Sequence, residues 1–377
     1  MEIVSGDGVN GAIVHCLLLT RELARRGHSV TVLCRPQSWI RSQLRSDPVE
    51  VVESDLHRGP LDELRRIAAI IRANQIELVH THMTNAHVFG VLLHWMRAAP
   101  CVATAHAHNR QWHWRFNDRV IAVSEATRRF HTKCNRVSSH RIEVIHNFVD
   151  YSRFAAVTPE TRARTRASLK VDGSWPLVGF IGSVFVEKGC LELVRVLAKV
   201  SLAVPNTRLL VVGDGPADYR SILESEAARL GVSSQIIWAG RRFDIPEVLS
   251  AIDLFVSASH DETFSLSSLE ATAAGVAVVG AAVGGLPELV CEGETGVLVT
   301  PGDLDMMANA IVTLLFDENR RRRLGEAARR RARENFSPES QMPLVEKAFA
   351  LAIAQSKWRT RLSDLLRILN WDWRRSN

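Results

Sequence analysis

The sequence predicts an α/β fold built on two doubly wound parallel sheets. Three observations carry that expectation. Short apolar runs of strand length alternate with amphipathic helical runs along most of the chain. The alternation lapses once, over a polar stretch near the middle, and then restarts. The 377 residues are also enough for about two ordinary domains, each able to bury its own core.

Strand-like runs fall at 29–34, 49–52, 78–81, 101–105, 120–123 and 142–145. After Arg153 the stretch AAVTPETRARTRASLKVDGSWP has little periodicity and a proline near each end, which reads as a linker. A second series of strands then occupies 177–181, 208–212, 236–239, 254–256 and 276–279. Helices between and after them lie near 191–200, 219–230, 267–274 and 303–316. The expected boundaries are a first domain over 1–155, a linker over 156–175, a second domain over 176–345 and C-terminal helices over 346–377. No repeat of fixed period is present, which excludes a solenoid. Doubly wound sheets collect ligands outside the carboxyl ends of their strands, so two such domains facing each other would hold substrates in the cleft between them.

Composition narrows the class. With 46% hydrophobic and 23% charged residues the chain is expected to fold throughout. It contains neither a long uncharged apolar window nor a basic flank leading into a hydrophobic run, so a cytoplasmic protein is expected. The six cysteines form no CxxC pair, which argues against zinc or a redox dithiol. The net charge of +6 sits in the first half, where residues 1–155 hold 20 Lys/Arg against 14 Asp/Glu. Between Leu78 and Asn117 there is no carboxylate, a field that favours an anionic ligand. No nucleic-acid-binding motif is present.

The strongest chemical signal is His260-Asp-Glu262-Thr263-Phe264-Ser265-Leu266-Ser-Ser-Leu-Glu270, which follows the strand at 254–256. With a helix beginning near Leu266, Glu270 lies inside it and Glu262 stays in the loop. The amides of Phe264, Ser265 and Leu266 then form a cradle for an anion. A carboxylate accepts two charge-assisted bonds at once, which suits Glu270 to adjacent ribose hydroxyls and Glu262 to hydroxyls of a group attached to a diphosphate. The plainer alternative makes Glu262 a helix-start carboxylate and Glu270 a solvated surface residue.

This run resembles the paired-glutamate signature of retaining nucleotide-sugar glycosyltransferases of family 4, and further segments are similar to that family in order. They are Gly182-Ser183-Val-Phe-Val-Glu-Lys188-Gly189, Val211-Val-Gly213-Asp-Gly215-Pro, Ala239-Gly240, Gly284-Gly285-Leu-Pro287-Glu288 with Gly296-Val-Leu-Val, and Asn147-Phe-Val-Asp150. The resemblance implies the GT-B fold, transfer of a sugar from a nucleoside-diphosphate sugar to an acceptor hydroxyl with retention, and no metal or other cofactor. It makes Lys188, at the start of a helix, the pyrophosphate contact. Many members carry arginine where this chain has Ser183, a donor without charge. The resemblance also implies a last helix that returns to the first domain.

In the first domain, Gly6-Asp-Gly8-Val-Asn-Gly11 follows a short strand and precedes a helical run from Ile13. Glycines there let a ligand approach the backbone, and the resemblance makes Gly11 part of the donor site. Two His-x-His pairs, His80/His82 and His106/His108, end successive strands, and alternation puts the members of a pair on one face. Four imidazoles could build a metal site, but no nearby carboxylate is apparent from the sequence, and imidazoles capping strand ends is the plainer account. Thr104-Ala-His106 is similar to the family's strand-end histidine, which implies that His106 meets the donor sugar.

The stretch 109–115 mixes cations with two tryptophans and reads either as an acceptor grip or as a packed loop. Arg320–Arg323 and Arg329–Arg331 read as a solvated helix face. In the tail, Trp358, Leu362, Leu365, Leu366 and Leu369 keep helical spacing among basic residues. With Trp371, Trp373, Arg374 and Arg375 they would also suit peripheral contact at the inner face of the cell membrane, a contact that the basic first domain could make instead. The expected partners are a nucleotide-sugar donor and a glycan or lipid-linked acceptor. A nucleotide-sugar epimerase and a catalytically silent binding subunit are the alternatives.

Overall fold

The computed structural model describes residues 1–56, 61–155 and 158–373, with side chains as far as Ser356 apart from that of residue 155. The chain divides into two compact units, Met1–Ile145 with Met342–Asn377, and His146–Gln341.

The first unit holds a seven-stranded sheet: β1 (Glu2–Val4), β2 (Thr31–Cys34), β3 (Glu50–Glu53), β4 (Val79–His82), β5 (Cys101–Ala105), β6 (Arg119–Ala122) and β7 (Ile142–Val144). The second holds six: β8 (Leu177–Ile181), β9 (Arg208–Val212), β10 (Ile236–Gly240), β11 (Leu254–Ser257), β12 (Val278–Ala281) and β13 (Gly296–Val299). All pairings are parallel, in the orders β3-β2-β1-β4-β5-β6-β7 and β10-β9-β8-β11-β12-β13. Each sheet therefore starts in its middle and winds outward in both directions, reversing between β1 and β4 and between β8 and β11. These are the doubly wound α/β domains that the alternation predicts.

Central strands read as continuous apolar runs because helices cover both of their faces. Every residue of Leu254–Ser257 and Val278–Ala281 is buried. In the second unit, Val178, Phe180, Leu209, Val211, Val256 and Val279 pack with Leu193, Leu197 and Ile311 from the covering helices. In the first, Ile3, Leu33 and Val79 pack with Ile67, Ile71 and Phe89.

The unit boundary differs from the sequence expectation. The chain changes unit between Ile145 and His146, not at 155, and the expected linker contains a helix, Pro159–Ser168, that belongs to the second unit. Thr158 caps it, accepting from the Thr161 amide, and proline fills its first position. Arginines dock this helix where an apolar stripe would be looked for. Arg162 donates to the carbonyls of Ser250 and Ile252 and pairs with Asp253 at 2.6 Å, while buried Arg166 donates to the Ala251 and Asp172 carbonyls.

The second unit ends inside the helix Pro338–Trp373, just before Pro343, and the chain from Met342 groups with the first unit. There Glu346 reaches Arg26 at 3.5 Å and His28 at 3.1 Å, and the Phe349 ring packs on His80. The tail residues from Trp358 to Arg375 considered for membrane contact lie outside the described side chains. Among the described residues, no helix is long and apolar enough to cross a membrane.

Candidate functional site

The reversal of the second sheet brings two loops together, 182–189 after β8 and 258–265 after β11. Between β8 and its helix, the turn Val186–Lys188 is 3-10, and the helix Cys190–Ala203 begins only after Gly189. Lys188 thus precedes the helix, a correction to its expected place as the first helical residue. Gly189 causes the offset. Its φ is +67°, and a Cβ there would lie 2.0 Å from the Ala258 carbonyl oxygen, so this turn can lie against the other loop only without a side chain. The His260 amide then donates to the Glu187 carbonyl at 2.9 Å.

Across this junction Lys188 Nζ donates to Glu262 Oε2 at 2.6 Å, and Glu262 Oε1 accepts from the Ser265 amide at 3.1 Å. One of the three amides expected to cradle an anion is therefore held by Glu262 in this state. The loop is fixed from both sides. The Glu262 carbonyl accepts from the Gly285 amide at 3.0 Å, and a Cβ on Gly284 would stand 1.6 Å from that same carbonyl oxygen. Phe264 is fully buried against the rings of His146 and Phe336.

Ser265 has φ +65°, a left-handed conformation uncommon for a residue with a side chain. It caps the helix Leu266–Ala274, its Oγ accepting from the Ser268 amide, and Gly275 closes the helix. Leu266 is the first helical residue, as the spacing predicts, and Glu270 lies one turn in. Glu270 is half-buried, not a solvated surface residue. Burial pushes its carboxyl up to about 7 although Arg153 opposes the shift.

Of the remaining expected donor residues, Gly182 and Ser183 are half-buried in the first loop, and the Gly182 amide donates to the Val212 carbonyl. Gly213 follows β9 directly, its amide donating to the Gly240 carbonyl at 2.8 Å. Thr263 is half-buried beside Glu262.

In the first unit, Gly11 opens the helix Gly11–Arg25, exposed, with Asn10 as its cap. His106 follows β5, half-buried, and its Nε2 lies 3.2 Å from His82 Nδ1. Burial, and then His15, holds the His106 ring well below the usual imidazole range. His80 and His82 share one face, with ring centroids 4.4 Å apart. His108 departs from the group, bonding Thr127 at 3.1 Å, so the four imidazoles do not converge.

The expectation that no carboxylate is near these histidines is overturned. Glu2 Oε2 lies 2.8 Å from His80 Nδ1 and 2.9 Å from His82 Nε2, all fully buried or nearly so. Burial alone would raise the Glu2 carboxyl, but the two rings overcome it and hold it well below the carboxylate range. The three residues bring metal-ligating atoms within 4.8 Å of one another. Sequence reasoning missed Glu2 because it is 78 positions from His80, which the β1–β4 pairing sets directly opposite it. The winding order, which seats the first strand beside the fourth, was the available signal.

The aromatic stretch divides. Trp114 is buried, donating to Asn109 at 3.3 Å, while half-exposed Trp112 stacks on Trp95. The late arginines also divide. Arg321 donates to the Leu314 carbonyl and Arg331 to the Glu288 carbonyl, so the helix Glu318–Asn335 is docked by part of its basic face, whereas Arg322, Arg323 and Arg330 are exposed.

Two family models match the chain in succession: Glycosyltransferase Family 4 over residues 9–153 and Glycosyl transferases group 1 over residues 161–331. Among curated proteins, the D-inositol 3-phosphate glycosyltransferase of Segniliparus rotundus is 29% identical, with 86% of this chain and 80% of that protein covered. The alpha-maltose-1-phosphate synthase of Mycolicibacterium smegmatis is 28% identical over 70% of this chain and 76% of its own length. Among solved structures, Anabaena HepE in complex with UDP and glucose superposes with a TM-score of 0.83 at 24% identity, covering 93% of this chain and 99% of that one. With two doubly wound parallel sheets and both family models in order along it, the chain belongs to glycosyltransferase family 4 and is a glycosyltransferase of GT-B fold.

Proposed function

We propose that the second unit binds a nucleoside-diphosphate sugar, and that the enzyme transfers the sugar to an acceptor hydroxyl with retention of configuration. The observation that carries this reading is the Lys188–Glu262 pair, set at the sheet reversal beside the amino end of the helix Leu266–Ala274. A leaving diphosphate needs fixed positive charge and oriented N–H donors more than it needs a nucleophile. Lys188, Ser183 and the amides of 264–266 are assigned to the diphosphate, with the backbone at Gly182 and Gly213 and the side chain of Thr263 lining the same loops. Glu270 takes the ribose, and Glu262 takes the donor sugar. On the family resemblance, His106 contributes to the sugar and Gly11 to the donor from the first unit.

Retention requires that the acceptor attack the face the diphosphate leaves. A phosphate oxygen of the leaving group can take the acceptor proton, so neither a protein nucleophile nor a metal is needed in this scheme. The approach of a diphosphate gives Lys188 a second anion to bind and loosens its hold on Glu262, freeing that carboxylate to accept from sugar hydroxyls. The complexes of Anabaena HepE with UDP-glucose and with UDP favour a uridine donor as the first to test. The basic first unit and the sugar-phosphate names among the relatives favour a phosphorylated or lipid-linked acceptor.

A thermal-shift panel of UDP, GDP, ADP and their sugars tests the binding half, since the tightest ligand raises the melting temperature most. Product analysis tests the rest. Free nucleoside diphosphate that forms only with acceptor present supports transfer, whereas an isomeric donor or binding without turnover would refute it.

A further inference from the structure

We propose that Glu2 acts through His82 to fix the tautomer of His106, keeping the ring proton on Nε2 and making Nδ1 that ring's acceptor atom. Glu2 and His82 are positioning residues in this account. Its catalytic consequence rests on the reading of His106 given above, but the tautomer itself does not.

One line of atoms links the three side chains. Glu2 Oε2 lies 2.9 Å from His82 Nε2, and His82 Nδ1 lies 3.2 Å from His106 Nε2. An ionised carboxylate only accepts, so the proton at the first contact belongs to His82 Nε2. A neutral imidazole carries one N–H, which leaves His82 Nδ1 as an acceptor. The proton at the second contact must then come from His106 Nε2, and Nδ1 of His106 carries the lone pair.

The charge states this needs agree with the surroundings. His80 Nδ1 sits 2.8 Å from the same Glu2 oxygen, while its Nε2 meets the Thr104 hydroxyl at 2.7 Å. Burial, and then His80, brings His82 down to about 4 against the pull of Glu2. His15 is a further titratable ring beside His106, 5.1 Å away edge to face, and burial depresses it as well; His87 and His80 also act on His106, more weakly. Strand register holds the chain of contacts in place, with Glu2 opposite His80 on one side of β4 and His82 opposite Thr104 on the other. A nearly fully buried glutamate is costly where an apolar residue would serve folding, so its pairing with two rings points to a role in orientation.

The function follows from the tautomer. A hydroxyl that meets His106 Nδ1 must come as the donor, so the ring can orient a sugar hydroxyl or share its proton but cannot donate from that atom. A zinc ion among Glu2, His80 and His82 would require the opposite arrangement, because it would take the His82 Nε2 lone pair and force the proton to Nδ1.

Long-range proton–nitrogen correlation NMR on isotope-labelled histidines at neutral pH reads the tautomers directly. His82→Gln and His106→Gln spectra assign the two rings. The expected result is Nε2–H on both rings of the unaltered protein. In Glu2→Gln, whose amide can donate as well as accept, the His106 signals should move toward Nδ1–H, with kcat lower by roughly ten- to a hundredfold and donor KM little changed.

Three results would overturn the proposal: His106 found as Nδ1–H or doubly protonated in the unaltered protein, an unchanged His106 pattern in folded Glu2→Gln, or stoichiometric zinc with His82 as Nδ1–H. If Glu2→Gln does not fold, the spectrum of the unaltered protein still decides. Tautomers as proposed, together with normal turnover in His106→Gln, would uphold the relay and remove His106 from the donor-sugar assignment instead.

Discussion

Glu262 joins two loops through one side chain, taking the Lys188 ammonium at 2.6 Å on one oxygen and the Ser265 amide at 3.1 Å on the other. The ammonium is about one-third exposed and the carboxylate much less so. The pair is therefore poised for exchange with an incoming anion and is a poor candidate for a stability device.

Lys188→Ala and Glu262→Ala should each lower turnover by at least about 100-fold, the scale of losing one well-placed stabilising group. On the proposed reading both act on one bound donor, so the double variant should lose far less than the product of the single losses. Steady-state rates at saturating donor check this, and near-normal rates in both single variants would refute the site.

The raised carboxyl of Glu270 makes two linked predictions. Its folded value of about 7 exceeds the ordinary 4.5, so between those values the folded state holds more protons than the unfolded chain. Stability then falls as pH rises through that window and levels off above it. Glu270→Gln should accordingly stabilise the fold above pH 7 by on the order of 2 kcal/mol, read as a higher melting midpoint, and change little near pH 4. If Glu270 takes the ribose as proposed, the hydroxyls need its ionised form, so nucleotide affinity in the unaltered protein should weaken up to about tenfold for each unit below 7. Calorimetric titration across that range reads the slope, and a flat profile would remove Glu270 from the ribose.

Much of this geometry was legible in the sequence because it is local. The helix start at Leu266 and the split of Glu262 from Glu270 follow from spacing within one strand-turn-helix segment. The Lys188–Glu262 contact was not legible, since it depends on β8 lying beside β11 and on how closely two loops approach. Glu2 was invisible for the same reason, being brought to His80 by pairing of distant strands. The helix Pro159–Ser168 escaped because a search for an apolar stripe passes over a segment anchored by arginines.

Gly284 offers a test of loop placement separate from charge. With a Cβ 1.6 Å from the Glu262 carbonyl oxygen and φ at +53°, Gly284→Ala must displace the Glu262 loop. The expected outcome is a loss of turnover approaching that of Glu262→Ala, with a lower melting temperature. The control Gly293→Ala also stands at positive φ but meets open space, so it should share the strain without the loss of turnover.

Arg166 separates folding from function. It donates to the Ala251 and Asp172 carbonyls and lies 3.5 Å from Asp253, whose other contacts are Arg162 and the Leu177 amide. Ala251, Asp253 and Leu177 sit at the amino ends of β8 and β11, whereas Lys188 and Glu262 sit past the carboxyl ends, roughly 15 Å away along strands of four or five residues. Arg166→Met keeps much of the aliphatic stem but leaves the Ala251, Asp172 and Trp175 carbonyls and part of the Asp253 charge without their donor. That should cost about 3–5 kcal/mol, read as a drop in the denaturation midpoint of the second unit. Nucleotide affinity of the folded fraction should stay unchanged at a temperature well below the new midpoint. A variant that keeps its stability but loses affinity would mean that the two ends of the sheet are coupled, and that the arginine-docked helix belongs to the binding machinery.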